Sequence, residues 1–242
     1  MTLTKHPTRH LVSNHATDQY GYDYVRPFIA RLTGDEKHSE AANSTLDVLW
    51  ALYDRVLRVD PLQPDHPARD RFYLSKGHGP MAYYAVLAAK GFIDPSLLDG
   101  FASADSILGH HPDRRRIPGV EISSGSLGQG LPLAVGAATA LAIRDTSGRV
   151  FVLVGDGELD EGSNHEAIAY AGRVGLERLT AIVVDNESAR YGWPGGVDQR
   201  FAIEGWVTAD VDGRDHTAIA EALNERRAGR PRAVVAHVGG RR

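Results

Sequence analysis

The chain has 242 residues, enough for a substantial core, and its 27 Lys and Arg against 31 Asp and Glu leave a formal net charge of −4, so a general affinity for nucleic acid or anionic membrane is not indicated. It contains no cysteine, which excludes a thiol nucleophile, a disulfide framework and thiolate metal sites. No apolar run approaches the roughly 20 residues of a membrane span, and the opening MTLTKHPTRH lacks the apolar core of a signal peptide, so a soluble, cytoplasmic protein is expected.

Residues 1–20 are polar, carry His6, His10 and His15, and show no periodicity; they are expected to form a mobile tail, leaving 21–242 as one domain. A helical region is predicted from about Val25. A stronger one runs from Ser44, where Leu46, Leu49, Trp50, Tyr53, Val56 and Leu57 recur at steps of three and four as a core stripe. DPLQPDHPARD reads as a Pro-rich surface crossing, and RFYLSKGHGP as a short strand breaking into a Gly-flanked turn that carries His78. MAYYAVLAAKGF reads as a helix stopped by Gly91.

The next segment begins as a loop with Arg114, Arg115 and Arg116, read as solvated surface, and becomes a small-residue helix after Gly130. Gly125, Gly128 and Gly130 are expected to expose backbone N–H and C=O groups at that helix start, a cradle for a flat ring or a phosphate. The pattern does not meet the requirements of a dinucleotide fingerprint, because no clear hydrophobic strand or acidic residue stands at the expected places. RVFVLV and LTAIVV read as buried strands flanking a helix, and WVTADV and RAVVAHV as two further strands around the helix in DHTAIAEALNERRAG.

In a strand, helix, strand unit the two strands run parallel, and their carboxyl ends lie at one edge of the sheet, where ligands of open α/β sheets collect. Asp156 and Asn186 stand just past the ends of RVFVLV and LTAIVV, so both face one site. An Asp carboxylate and an Asn carbonyl are hard oxygen ligands of the kind that Mg²⁺ or Ca²⁺ takes, and Mg²⁺ commonly completes its octahedron with phosphates. Gly155 and Gly157 allow close backbone approach. A metal-bridged diphosphate uses all of these features; the competing reading is a Gly-Asp-Gly turn with ordinary turn formers or helix caps at two strand ends.

SKGH at 75–78, GHHP at 109–112, PGVEISSGSLGQG at 118–130, GDGELDEG at 155–162 and Asp185-Asn186 together resemble the amino-terminal half of transketolases, the domain that binds the diphosphate of thiamine diphosphate. The resemblance covers about residues 44–236. It implies a parallel-sheet, three-layer α/β/α fold, thiamine diphosphate with Mg²⁺ or Ca²⁺, and metal ligation by Asp156, Asn186 and the backbone carbonyl of Ser188. It further implies that the Gly157 N–H meets the diphosphate, that His78 lies near the thiazolium and diphosphate, and that Gly125, Ser126 and Leu127 line the aminopyrimidine. By the same resemblance His111 would face the reacting carbon, and Glu161 would lie near a subunit boundary and couple two cofactor sites. His78 and His111 are the expected acid–base residues; the alternative for both is a turn histidine bonded to backbone.

The sequence also departs from that family. TGDEKHSEAANS stands where the family has Ser-Gly-His-Pro-Gly, and His38 does not match the family's substrate histidine in context. The chain ends at VVAHVGGRR, before the family's later histidine and without the pyrimidine-binding domain whose glutamate activates the cofactor. The expectation is half of a split enzyme: a subunit that transfers a two-carbon ketol unit from a ketose, often a sugar phosphate, to an aldehyde. It would act with a separate carboxyl-terminal subunit, two copies of each forming a heterotetramer. Alternatives are the α subunit of a 2-oxo acid dehydrogenase-like enzyme and a non-catalytic cofactor-binding scaffold.

Overall fold

Five strands, β1 (Arg71–Leu74), β2 (Val150–Gly155), β3 (Leu179–Asp185), β4 (Val207–Asp212) and β5 (Arg232–His237), form one sheet in the order β1-β2-β3-β5-β4. Every pairing is parallel. The computed structural model describes residues 20–33, 39–77 and 80–239. Residues 1–19, which make up all but the last position of the expected tail, lie outside the described residues, as do His38 and His78.

Strands β2 and β5 are buried almost throughout, and β3 is buried along six of its seven residues. This accounts for their continuous apolar sequences: a parallel sheet is covered on both faces, so neither face favours polar residues. The period of two divides the sheet's side chains between two cores. Phe151, Leu153, Ile182, Val184, Val234 and Ala236 point to one core. Val150, Val152, Val154, Ala181, Val183 and Val235 point to the other.

Seven helices cover these faces: α1 (Tyr22–Arg31), α2 (Ser39–Arg55), α3 (Met81–Ala89), α4 (Gly130–Ile143), α5 (Gly162–Val174), α6 (Val197–Ile203) and α7 (His216–Asn224). Helices α1, α2, α3 and α7 supply the first core, and α4, α5 and α6 the second, so the chain makes three layers. Among the described residues no helix is long and apolar enough to cross a membrane.

The elements follow the predicted order, with three differences. Helix α2 starts at Ser39, five residues earlier than expected, and ends before Val56 and Leu57. Its burial also exceeds one stripe, because Val48, Ala51 and Leu52 are buried as fully as Leu46 and Leu49; α2 is wedged between α3, α7 and the sheet. Helix α7 stops at Asn224, short of the predicted ERRAG segment, while Asp215 caps its start by accepting from Thr217 N and Ala218 N. Helix α6 was not predicted, since seven residues with one buried apolar side chain, Phe201, carry little periodic signal.

At the amino edge of the sheet Asp70 is 1% exposed and joins three segments. Its carboxylate accepts from Arg58 N at 3.0 Å and Arg58 Nη2 at 2.8 Å, and from Arg149 N at 2.8 Å, Nε at 2.9 Å and Nη2 at 2.6 Å. Burial alone would raise its pKa, but the hydrogen bonds from Arg58 and Arg149 outweigh burial and hold it below the ordinary carboxylate range. A carboxyl depressed on folding stabilises the native state above its unfolded pKa, about 3.9, and loses that contribution as pH falls through the folded value. Asp70→Asn is expected to cost about 3–5 kcal/mol, the usual result of stripping one partner from a buried ion pair, and to flatten the acid limb of stability below about pH 4. Chemical denaturation as a function of pH measures both; a loss under about 1 kcal/mol would show that the pair is dispensable.

Candidate functional site

The carboxyl ends of β1, β2 and β3 lie side by side, since Leu74 pairs with Leu153 and Gly155 with Val184. From them issue Ser75-Lys76-Gly77, Asp156-Gly157 and Asn186 to Ser188. Asp156 is 1% exposed. Its Oδ1 accepts from Ser188 Oγ at 2.6 Å and its Oδ2 from Ala189 N at 2.8 Å, so the loop after β3 folds back over the end of β2. Gly157 lies under that loop: a Cβ there would stand 3.3 Å from both Ser188 O and Ser188 Oγ. A side chain at 157 would crowd the Ser188 carbonyl.

Asn186 contributes the most informative atom. Its Oδ1 is buried and has no hydrogen-bond partner among the described residues, and such an acceptor costs about 1–3 kcal/mol of desolvation unless something else satisfies it. The Asp156 carboxylate, with lone pairs beyond the two it uses, the Asn186 amide oxygen and the Ser188 carbonyl form a hard-oxygen donor set of the kind that suits Mg²⁺ or Ca²⁺. Among the described residues no cluster of three or more His, Cys, Asp or Glu side chains could hold a metal. An amide and a backbone carbonyl therefore have to complete any cation site at this edge.

The second part of the site lies around β1. The loop after β1 meets the loop before α4 backbone to backbone: a Cβ at Gly77 would fall 2.6 Å from Gly125 N, so position 77 admits no side chain. The His111 ring lies against Gly125, and its Nδ1 is 3.0 Å from Gly77 O. A carbonyl can only accept, so the neutral ring carries its proton on Nδ1 and keeps the lone pair on Nε2. His111, Gly125 and the end of β1 thus come together. Ser126 is exposed and Leu127 half-buried. Glu161 is exposed, with its stem beneath Gly128. His78, the other expected acid–base residue, lies outside the described residues.

One sequence expectation needs correction. The N–H of Gly128 donates to Glu158 Oε1 at 2.9 Å, and that of Gly130 to Ser75 Oγ at 2.9 Å. Two of the three glycines therefore spend their N–H groups inside the protein and do not form an exposed cradle. Glu158, which sequence reasoning passed over, is 3% exposed and organises this region. It also accepts from Ser75 Oγ at 2.5 Å and Gly155 N at 3.3 Å. Burial raises its carboxyl pKa, and the bonds from Ser75, Gly128 and Gly155 oppose the rise.

Lys76 was also missed as a site residue. Its stem packs against Gly155 and its Nζ donates to Ser44 Oγ at 3.0 Å. Burial lowers its pKa to about 8, with Asp156 and Glu158 opposing that shift, so the ammonium stands in the field of both carboxylates. Its place in SKGH, just after a strand, was the available signal. The edge as a whole thus offers hard-oxygen donors, a half-buried cation and a histidine, which suits an anionic, metal-bound ligand.

Comparison with known proteins agrees with this chemistry. Residues 33–238 match the family described as the thiamine diphosphate-binding domain of transketolase. The chain is 36% identical over 206 residues to 6-deoxy-6-sulfo-D-fructose transketolase subunit SqwG of Clostridium sp. strain MSTE9, covering 82% of this chain and 75% of that subunit. It is 59% identical over 221 residues to a protein named Ferredoxin fas2 of Rhodococcoides fascians, covering 91% of this chain and 73% of that protein. The present chain, having no cysteine, offers no thiolate to an iron–sulfur cluster. The structure resembles transketolase from Leishmania mexicana with a TM-score of 0.75 at 28% identity, over 90% of this chain but 36% of that one. The chain thus spans about three quarters of these two relatives and about a third of the solved transketolase. The matched span, the parallel three-layer fold and the paired strand ends carrying Asp156 and Asn186 place this chain in the transketolase family, as a thiamine diphosphate-binding domain.

Proposed function

We propose that this chain is one subunit of a two-component transketolase, moving a two-carbon ketol unit from a ketose to an aldehyde together with a subunit that carries the pyrimidine-binding domain. The observation that carries the reading is the buried, unpartnered Oδ1 of Asn186 beside the Asp156 carboxylate. A Mg²⁺ ion held by Asp156, Asn186 and the Ser188 carbonyl would satisfy that oxygen and bind the diphosphate of the cofactor. When bound, thiamine diphosphate supplies the electron sink for cleaving and forming the carbon–carbon bond.

The chain's own residues would then bind, orient and move protons. The Gly157 N–H would face the diphosphate, and the Lys76 ammonium would add positive charge at the same edge. Gly125, Ser126 and Leu127 would line the aminopyrimidine, with the half-buried Leu127 as its apolar contact. His111, whose Nδ1 is held by Gly77 O, would take and return protons at substrate oxygens, with His78 as its partner. A cytoplasmic assembly of two copies of each subunit is the simplest closed arrangement. The printed name of the Clostridium relative, which calls it a transketolase subunit, supports the two-component reading.

Asn186→Ala is the cleanest test of the cation site, because it removes an acceptor that no group among the described residues uses. In the assembled enzyme it is expected to weaken Mg²⁺-dependent thiamine diphosphate binding by roughly 10- to 100-fold, with the cofactor-free melting temperature shifted by no more than about 2 °C. Asp156→Ala should weaken binding at least as much and also destabilise the chain, since it releases Ser188 and Ala189. Calorimetric titration with both variants checks this; unchanged affinity in Asn186→Ala overturns the assignment.

His111→Ala in the assembled enzyme is expected to lower kcat by roughly 10²- to 10⁴-fold with cofactor affinity little changed. Near-normal turnover would make the ring a loop support.

The purified chain is expected to show no ketol transfer from xylulose 5-phosphate or fructose 6-phosphate until a subunit with a pyrimidine-binding domain is added. Turnover by the isolated chain would refute the two-component reading.

A further inference from the structure

At the opposite edge of the sheet, away from Asp156 and Asn186, the strands begin with arginine. Arg149 precedes β2, Arg178 precedes β3 and Arg232 opens β5. Phe151 pairs with Thr180 and Thr180 with Arg232, so the period of two puts positions 149, 178 and 232 on one face of the sheet, the face covered by α7. The segment from α7 to β5 adds Arg226, Arg227 and Arg230 around the same recess. These six guanidinium groups meet two lining carboxylates, Glu177 and Glu225.

Part of this charge is matched internally. Arg149 is bound by Asp70 and by Asn224 Oδ1 at 3.0 Å, and Arg230 donates to the carbonyls of Gly205 and Trp206. Arg232 Nη2 reaches Glu225 at 2.7 Å, while Glu177 Oε2 is occupied by Gly229 N at 2.8 Å. What remains is a set of unmatched donors. Arg232 is 5% exposed, and its Nε and Nη1 are buried with no partner among the described residues; Arg178 Nη1 is likewise buried and without one there. The contact of Arg178 with Asp145 is long, at 3.6 Å, and Asp145 is almost wholly exposed. Three guanidinium nitrogens buried without acceptors are expensive. Like charges also crowd here: burial, then Arg149 and Arg58, lower the pKa of Arg226.

The shape of the recess limits what could satisfy them. An enclosed space of about 10 Å³, room for one water-sized atom, shares Glu177, Arg226 and Arg227 with an outer recess of about 210 Å³. A tetrahedral oxyanion at this place would turn one oxygen toward Arg178 and Arg232 and the others toward Arg226 and Arg227. Planar guanidinium forks are suited to such an anion. We propose that the amino edge of the sheet holds a second ligand site, for a phosphoryl group, free or on a small ester, bound by Arg178, Arg226, Arg227 and Arg232. This site stands independently of the cofactor reading, because it shares no residue with the carboxyl edge.

The test uses the full chain and the melting temperature, read against inorganic phosphate and, separately, glycerol 3-phosphate, with ionic strength held by sodium gluconate. A ligand that binds the native state alone raises the melting temperature with its concentration, here by about 5 °C near saturation. In the double variant Arg178→Gln/Arg227→Gln, of which Arg178 is half-buried and Arg227 exposed, the rise should vanish. The Arg232 Nε–H resonance of the unmodified chain should move during the same titration. A response to both ligands supports a site open to esters, and a response to phosphate alone supports a free-ion site. A rise of equal size in the double variant, or a melting temperature and an Arg232 resonance that respond to neither ligand, overturns the proposal.

Discussion

A single buried carboxylate, that of Glu158, sets the positions of the segments around the cofactor edge. One oxygen accepts from Ser75 Oγ and Gly128 N, the other from Gly155 N, so the end of β1, the loop before α4 and the end of β2 are tied to one group. Ser75 passes the constraint on by accepting from Gly130 N, which holds the first turn of α4. Burying a carboxylate this deeply is costly, and the upward pressure on its pKa records that cost. The three donors offset it in a way that water at this position could not, since each is fixed to a different element. The loops that carry His111, Gly125, Lys76 and Asp156 are thereby placed relative to one another before any ligand arrives, and pre-placed groups are what make a site precise.

The same frame explains why glycine recurs in the motifs. Gly77 is required by a backbone-to-backbone meeting with Gly125, and Gly157 by the carbonyl of Ser188 folding over it. Gly128, by contrast, uses its N–H to reach Glu158. Glycines that look alike in the sequence thus do different work: some clear space for a neighbour, and Gly128, Gly130 and Gly155 supply internal donors. A ligand cradle is built from what is left, and at this edge the most conspicuous remainder is the Asn186 oxygen.

The sheet is electrostatically two-sided. Its carboxyl edge gathers Asp156, Glu158 and Asp185 with Lys76, a balance that a bound cation and a diphosphate would complete. Its amino edge gathers arginines, held in part by Asp70 and by the Asn224 side chain at the end of α7, whose Oδ1 accepts from Arg149. Parallel strands make this separation possible, because all their carboxyl ends lie together and all their amino ends lie together. An antiparallel sheet would interleave the two kinds of terminus. The metal-bound anion expected at one edge and the phosphoryl group proposed at the other differ accordingly: the first edge has oxygen ligands for a metal, and the second has guanidinium donors for the anion itself.

The fold class could be read from the sequence because its signals are local. Apolar runs such as RVFVLV and LTAIVV need both faces covered, and the helical segment between them permits a parallel crossover. Asp156 and Asn186 were legible for the same reason: a residue just past a strand is carried to the sheet edge whatever the rest of the chain does. Helix α6 was too short for periodicity to mark, and the insertion of β5 between β3 and β4 leaves no trace in spacing, since either order satisfies the same strand patterns. Tertiary structure alone decided the partners of polar groups. The internal use of the Gly128 and Gly130 N–H groups, the contacts of buried Glu158 and half-buried Lys76, and the convergence of Arg149, Arg178 and Arg232 all join residues tens of positions apart. A hydrogen bond depends on distance and angle in space, and those are fixed only when the sheet register brings separate stretches of chain together.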